Sequence, residues 1–251
     1  MGQFSMQVAG QVARVNTLFE STREYFRPYL TEEAPHFTIT TTQADMDLIQ
    51  KLRIEEAIRE GIRIRRYNGP YLERASVQLK FAEHLLHHRT LLFHGSAVAL
   101  DGEGYLFTAD CGVGKSTHTQ LWREVFGHRA VMINDDKPFL RLTGQGVLIC
   151  GSPWSGKHGL DTNITVPLKG ICILHRSPEN KIAPLAPEAA MSMLLKQSHQ
   201  PLDAAMQAEY LSLVDTLAAI VPLWQMECNK NPQAALVSQA AMGKYSTTPR
   251  L

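Results

Sequence analysis

The chain has no C-x-x-C pair and no cysteine spacing that suggests a zinc site or a disulfide framework. Its four cysteines, Cys111, Cys150, Cys172 and Cys228, are widely separated, a usage that fits reduced, mostly buried thiols in a cytoplasmic protein. An excess of charge is also missing: 25 basic residues stand against 24 acidic ones, for a formal net charge of +1. No global basic field exists to hold nucleic acid or an anionic membrane. No apolar run approaches the roughly 20 residues needed to cross a bilayer. The N-terminus lacks the charged segment and apolar core of a secretion signal. Internal repeats and low-complexity tracts are absent as well. These absences point to a cytoplasmic protein with neither nucleic acid nor membrane as partner, and they leave homo-oligomerisation open.

What is present is ordinary for a globular chain. The 251 residues are 44% hydrophobic and 20% charged, enough for one large domain or a catalytic domain with a smaller companion. Residues 1–68 read as a small α+β unit. Alternating apolar residues mark strands at Phe4–Ala9, Phe37–Thr40 and Ile62–Arg65. Leu18–Tyr29 reads as a short helix stopped near Pro28. Asp45–Arg59 reads as a helix with Leu48, Leu52, Ile54 and Ile58 on its apolar side, ended by Gly61.

Residues 69–243 read as a second, catalytic domain, followed by a polar, frayed tail at 244–251. Pro70–His88 carries a helical apolar stripe through Leu72, Ala75, Leu79, Ala82, Leu85 and Leu86. Leu91–Leu100 and Tyr105–Thr108 read as strands joined by a hairpin at Asp101–Gly104. Helices are expected at Ser116–Phe126, Ala186–Gln197, Asp203–Ala219 and Pro232–Met242. Strands are expected at Ala130–Ile133, Val147–Cys150, Leu168–Leu174 and Pro222–Cys228.

Between the Tyr105–Thr108 strand and the helix that follows lies Cys111-Gly112-Val113-Gly114-Lys115-Ser116-Thr117. Glycines here allow a tight turn whose successive N–H groups face a phosphate, and the helix start adds its positive end. Lys115 supplies a mobile charge for the β and γ phosphates of ATP, and Ser116 or Thr117 offers a hydroxyl to Mg²⁺. The strict G-x-x-x-x-G-K-[ST] pattern asks for glycine at 109, where this chain has Ala109.

Asn134-Asp135-Asp136 closes the next strand. Two acids at a strand end can divide the work: one organises Mg²⁺, the other takes the proton of an attacking hydroxyl. Taken alone such a pair is more often a solvated turn; its place one helix and one strand after a phosphate loop reverses those odds. His94, in His94-Gly95-Ser96 one hairpin upstream, is placed to face the γ phosphate. In the Gly151–His158 segment, Lys157 can bind phosphate or an acidic substrate and Trp154 can wall a pocket; a rigid Pro/Gly turn with a packed tryptophan is equally compatible. His84, His87 and His88 share a helix without an acidic or cysteine partner and read as a solvated face. Arg63, Arg65 and Arg66 read as a surface cluster.

The order of these pieces resembles the catalytic domain of HPr kinase/phosphorylase, whose nucleotide-binding core is shared with phosphoenolpyruvate carboxykinase. The resemblance covers about Leu91–Leu174. The segments Asn134–Pro138 and Gly151–Lys157 are similar to the N-D-D-K-P and G-[ST]-P-W-x-G-K motifs of a bacterial group of HPr-kinase-related proteins. The resemblance implies an α/β fold with a carboxykinase-like phosphate-loop core, mixed sheets and flanking helices. It implies that Lys115 and Ser116 bind phosphate and Mg²⁺, that an aspartate of the 135–136 pair is the base toward a serine hydroxyl, and that His94 lies in the active site. Two departures stand out. Residues 1–68 do not resemble the N-terminal domain of true HPr kinases, and the Glu-Val-Arg-Gly segment of those kinases has no counterpart. An acceptor other than HPr, on a peptide, protein or small-molecule alcohol, is therefore expected.

The expected activity is an ATP- and Mg²⁺-dependent kinase with a hydroxyl acceptor. Asp136, Asp135, His94 and Lys115 are the catalytic candidates. Gly112, Val113, Gly114, Lys115, Ser116 and Thr117 hold nucleotide, Ser116 and Asp135 hold metal, and Trp154 and Lys157 meet substrate. A carboxykinase-like enzyme acting on oxaloacetate and a non-catalytic nucleotide-sensing or peptide-binding module remain as alternatives. A GTPase switch is disfavoured because no N-K-x-D segment occurs.

Overall fold

The computed structural model describes residues 2–61 and 63–244. The chain divides into two units, Met1–Leu85 and Leu86–Leu251, so the long helix that the sequence assigns to the second domain belongs with the first.

In the first unit, β1 (Gly2–Val8) and β2 (Gln11–Thr17) form an antiparallel hairpin, and β3 (Phe37–Thr40) lies parallel to β2. The hairpin turn is Ala9–Gly10, both at positive φ, as a two-residue turn matched to strand twist requires. A short helix, α1 (Glu20–Tyr25), precedes a single 3-10 turn containing Pro28. Helix α2 (Gln43–Glu60) opens with a reciprocal capping box between Thr42 and Asp45 and closes on left-handed Gly61. Its inward face is Met46, Ile49 and Ala57, while Leu48 and Ile58 face solvent. The apolar stripe expected through Leu48 and Ile58 is thus out of phase. Met46 and Ile49 instead meet Leu72 and Ala75 of α3 (Gly69–Leu86). The strand expected at Ile62–Arg65 is not formed over 63–65, and Ile62 lies outside the described residues. The Gln50 side chain donates to Arg65 O at 3.0 Å.

The second unit is built on a nine-stranded mixed sheet. It comprises β4 (Thr90–Leu92), β5 (Ser96–Leu100), β6 (Glu103–Thr108), β7 (Ala130–Asn134), β8 (Phe139–Thr143), β9 (Gly146–Cys150), β10 (Thr165–Arg176), β11 (Lys181–Pro184) and β12 (Leu223–Cys228). The order is β4-β8-β9-β10-β6-β5-β7, with β12 beside β10 and β11 beside β12. Strand β10 serves two neighbourhoods: Thr165–Pro167 pair antiparallel with β9, and Leu168–Ile173 pair parallel with β6, with a register shift between Leu168 and Gly170. The single strand expected at Leu91–Leu100 is broken at Phe93–Gly95. Gly95 is pressed against Leu106 and the Phe107 carbonyl so closely that a Cβ would lie 2.7 Å from Leu106 Cδ1.

Both faces of the central strands are buried, so apolar residues alternate between two cores. Ala97, Ala99, Leu106, Ile171 and Ile173 join the core with α5 (Pro187–Gln197) and α6 (Gln207–Ile220). Val98, Leu100, Tyr105, Phe107, Cys172 and Leu174 join the other, with α4 (Lys115–Phe126) and α7 (Gln233–Met242). There Trp122 is fully buried and its indole N–H donates to Ser238 Oγ at 3.0 Å. Removing a ring of this kind costs about 3–5 kcal/mol.

This topology assembles a site. Strands β6 and β10 are parallel, and β5 is antiparallel to both β6 and β7. The C-terminal ends of β6, β7 and β10 and the N-terminal end of β5 therefore share one edge of the sheet. The glycine-containing loop at 110–114, Asp135–Asp136, Arg176 and His94–Ser96 all emerge there.

Candidate active site

The loop from Asp110 to Gly114 turns on Gly112 (φ +75°) and Gly114 (φ +128°). A side chain at Gly112 would meet nothing within 4 Å, so backbone conformation rather than space demands glycine. Helix α4 begins at Lys115 with no side chain capping its first turn, which leaves those donors suited to an anion. Arg176 holds the loop from outside: its guanidinium donates to Gly112 O, and its Nε to Val113 O at 3.2 Å. Across a trans peptide the N–H points opposite to the carbonyl, so fixing Val113 O turns Gly114 N–H away from Arg176. Ala109 fits where glycine was expected because its φ is not positive. Its carbonyl accepts from Lys115 Nζ and Gln197 Nε2, each at 3.1 Å. Burial holds the Lys115 ammonium below the ordinary lysine range, against the opposing pull of Cys111, Asp136, Asp110 and Asp135. Negative charge brought into the loop would relieve that cost.

The two aspartates differ in setting. Asp135 is buried; Ser96 Oγ donates to its Oδ1 at 2.6 Å and lies 2.7 Å from Thr119 Oγ1, which in turn donates to Ser116 O at 3.2 Å. A chain of short side chains thus ties this carboxylate to the first turn of α4. Asp136 keeps about a third of its side chain exposed, and its Oδ1 lies 3.3 Å from His94 Nε2. His94 sits in the break between β4 and β5 rather than inside a strand, with its N–H on Gln197 O and its carbonyl accepting from Thr108 Oγ1.

Asn134 fastens the neighbouring loop. Its Oδ1 accepts from Asp136 N at 2.8 Å and Lys137 N at 2.6 Å, and its Nδ2 donates to Ser152 O at 2.7 Å and Ser152 Oγ at 3.0 Å. Gly151 cannot carry a side chain, since a Cβ would fall 1.9 Å from Thr162 O. Gly156, at φ +70°, packs on Asp136, where a Cβ would lie 3.2 Å from Asp136 Cβ. Lys157 follows on an exposed turn. Trp154 is buried, edge-on to Phe139 at 6.3 Å between ring centroids; it shapes the loop from within rather than walling an open pocket.

The geometry therefore gathers His94, Gly112, Val113, Gly114, Lys115, Ser116, Thr117, Asp135 and Asp136 at one sheet edge. His84 lies elsewhere, stacked on Phe37, and His87 pairs with Glu209. Among the described residues no group of three His, Cys, Asp or Glu side chains could hold a metal alone. Mg²⁺ does not need one, since it is commonly held by one or two side chains together with substrate phosphates; Ser116 and Asp135 are of that kind. Sequence reasoning did not single out Arg176, Ser96, Thr119 or Gln197. No helix among the described residues is long and apolar enough to cross a membrane.

No protein-family model matches this chain, and no curated protein matches it in sequence. Among solved structures, the chain is similar to the Hpr(Ser) kinase/phosphatase from Coxiella burnetii, at 11% identity and a TM-score of 0.37, over 61% of this chain and 97% of that one. A likeness at this level decides neither fold nor activity.

Proposed function

We propose that the protein is a kinase that transfers the γ phosphate of ATP to a hydroxyl group of a peptide, protein or small molecule. One observation carries the reading: a phosphate loop with a half-buried lysine shares a sheet edge with one buried and one accessible aspartate. The amides of Gly114 and Lys115 cradle phosphate oxygens, the Val113 N–H being spent on the Asp110 carbonyl at 3.3 Å to close the turn, and Lys115 neutralises their charge. Ser116 and Asp135 hold Mg²⁺, with Ser96 and Thr119 keeping Asp135 in register with α4. The ion, when bound, draws charge from the β and γ phosphates. Asp136 takes the proton of the acceptor hydroxyl, and His94 orients that carboxylate. Lys157, on the loop fastened to Asn134, meets the acceptor. Catalysis of this kind rests on positioning and charge stabilisation.

Incubation of γ-labelled ATP and Mg²⁺ with pooled serine-containing peptides and small alcohols tests the reading. Label is expected to move to an acceptor with the wild-type protein and not with Lys115→Ala. Transfer by the variant at the wild-type rate would overturn it.

A further inference from the structure

The cavity on the other flank of the phosphate loop has no part in that chemistry. It measures about 410 Å³ and is lined by Asp110–Val113 of the loop, Leu174, His175 and Arg176 at the end of β10, and Met193 of α5. We infer that it is the seat of the nucleoside half of the bound nucleotide, a reading that rests on the proposed function.

Strand order supplies the direction. The sequence of strands across the sheet is β10-β6-β5-β7. The loop leaves β6, the two aspartates leave β7, and the cavity opens where β10 ends. A triphosphate lying along the loop with its γ end at Asp136 therefore points its α end toward β10. The size lies within the range of roughly 300–1,000 Å³ usual for small-molecule sites.

The lining suits a base and a sugar more than further phosphate. Leu174, Val113 and Met193 offer apolar contact to a flat ring, and the exposed imidazole of His175 can stack on it. The cationic side chain in the lining, Arg176, is already committed to the carbonyls of Gly112 and Val113. Asp110 spends Oδ1 on Lys196 at 2.6 Å, and its carboxylate keeps acceptor capacity for ribose hydroxyls. The site is thus divided, with phosphate held by backbone and Lys115 and the nucleoside held by the β10 flank.

The experiment compares binding of MgATP and of magnesium tripolyphosphate, which has the phosphates but no nucleoside, by calorimetry. Three variants are measured with the wild type: Met193→Trp, which fills the cavity; His175→Ala, at an exposed position that does not threaten folding; and Lys115→Ala. The wild type is expected to bind ATP more tightly than tripolyphosphate. Met193→Trp and His175→Ala should weaken ATP, the former by about tenfold or more, and leave tripolyphosphate unchanged. Equal ATP affinity in the wild type and both flank variants would overturn the nucleoside seat while leaving the phosphate loop intact. Loss of both ligands in the flank variants, with circular dichroism unchanged, would also overturn it by placing phosphate in the cavity. Binding of both ligands that ignores Lys115→Ala would overturn the kinase reading itself, and the seat with it.

Discussion

Each unit of the chain holds a carboxylate at a junction of several segments, and the two are handled in opposite ways. In the first unit Glu73 is fully buried and accepts from the backbone N–H groups of Leu18 and Phe19 and from the hydroxyls of Thr22 and Thr41. Every direction from which a proton or ligand could approach is occupied by the protein's own donors. In the second unit Asp136 is held by its backbone, through Asn134, while its carboxylate stays accessible with His94 on one side. A fully buried carboxylate ties segments together; one that keeps about a third of its side chain exposed can be reached by a substrate. Asp135, buried and bonded to Ser96, stands between them.

Substitution sharpens this contrast. Asp136→Asn keeps the shape and removes the base, so phosphoryl transfer should fall by about 10²–10⁴-fold with melting temperature little changed, as read by steady-state kinetics beside a thermal scan. Glu73→Gln should do the reverse. An amide nitrogen facing four donors leaves some of them unmet, at about 2 kcal/mol of stability, seen as a lowered urea midpoint with unchanged turnover per folded molecule. Loss of turnover in Glu73→Gln without loss of stability would break the comparison.

Acid should expose another buried set. Burial depresses the His118 and His199 rings to about 4, with Lys137 adding to the effect at His199. In the unfolded chain both titrate near 6.5. The unfolded state therefore binds more protons between those values, and stability is full above about 6.5 and lost as pH falls toward about 4. A urea midpoint that stays flat from pH 7 to 4.5 would contradict this. The smallest effect is expected at Lys157, exposed on its turn. Lys157→Ala should raise KM for the acceptor a few-fold, without changing KM for ATP.

The parts of this site that were legible in the sequence are those encoded by close spacing. The glycines and lysine of 112–117 and the acids 135–136 each need only a few neighbouring residues to be recognised. Arg176 is as close to the loop as any of them, yet it lies more than one sheet crossing away in sequence and arrives only through parallel pairing of β10 with β6. Ser96 looks like an ordinary strand residue until β5 lies beside β7 and brings it to Asp135. Local chemistry also misled. Strand β2 was not expected because its turn is Ala9–Gly10 rather than Asn-Gly or Asp-Gly. The dense apolar run at 91–100 concealed the break at 93–95, where Gly95 packs closely on Leu106. Strands β8 and β11 also escaped, the first being interrupted by Arg141 and the second being four residues that end on Pro184.

The most direct test of the central claim, that the two flanking acids and the lysine form one phosphoryl-transfer site, is ³¹P NMR of MgATP with an acceptor pool and three proteins. The wild type should convert the γ resonance into a phosphomonoester. Asp136→Asn should shift or broaden the nucleotide resonances without making product, and Lys115→Ala should do neither. Product formed by Asp136→Asn as fast as by the wild type, or nucleotide resonances untouched by the wild-type protein, would contradict the account.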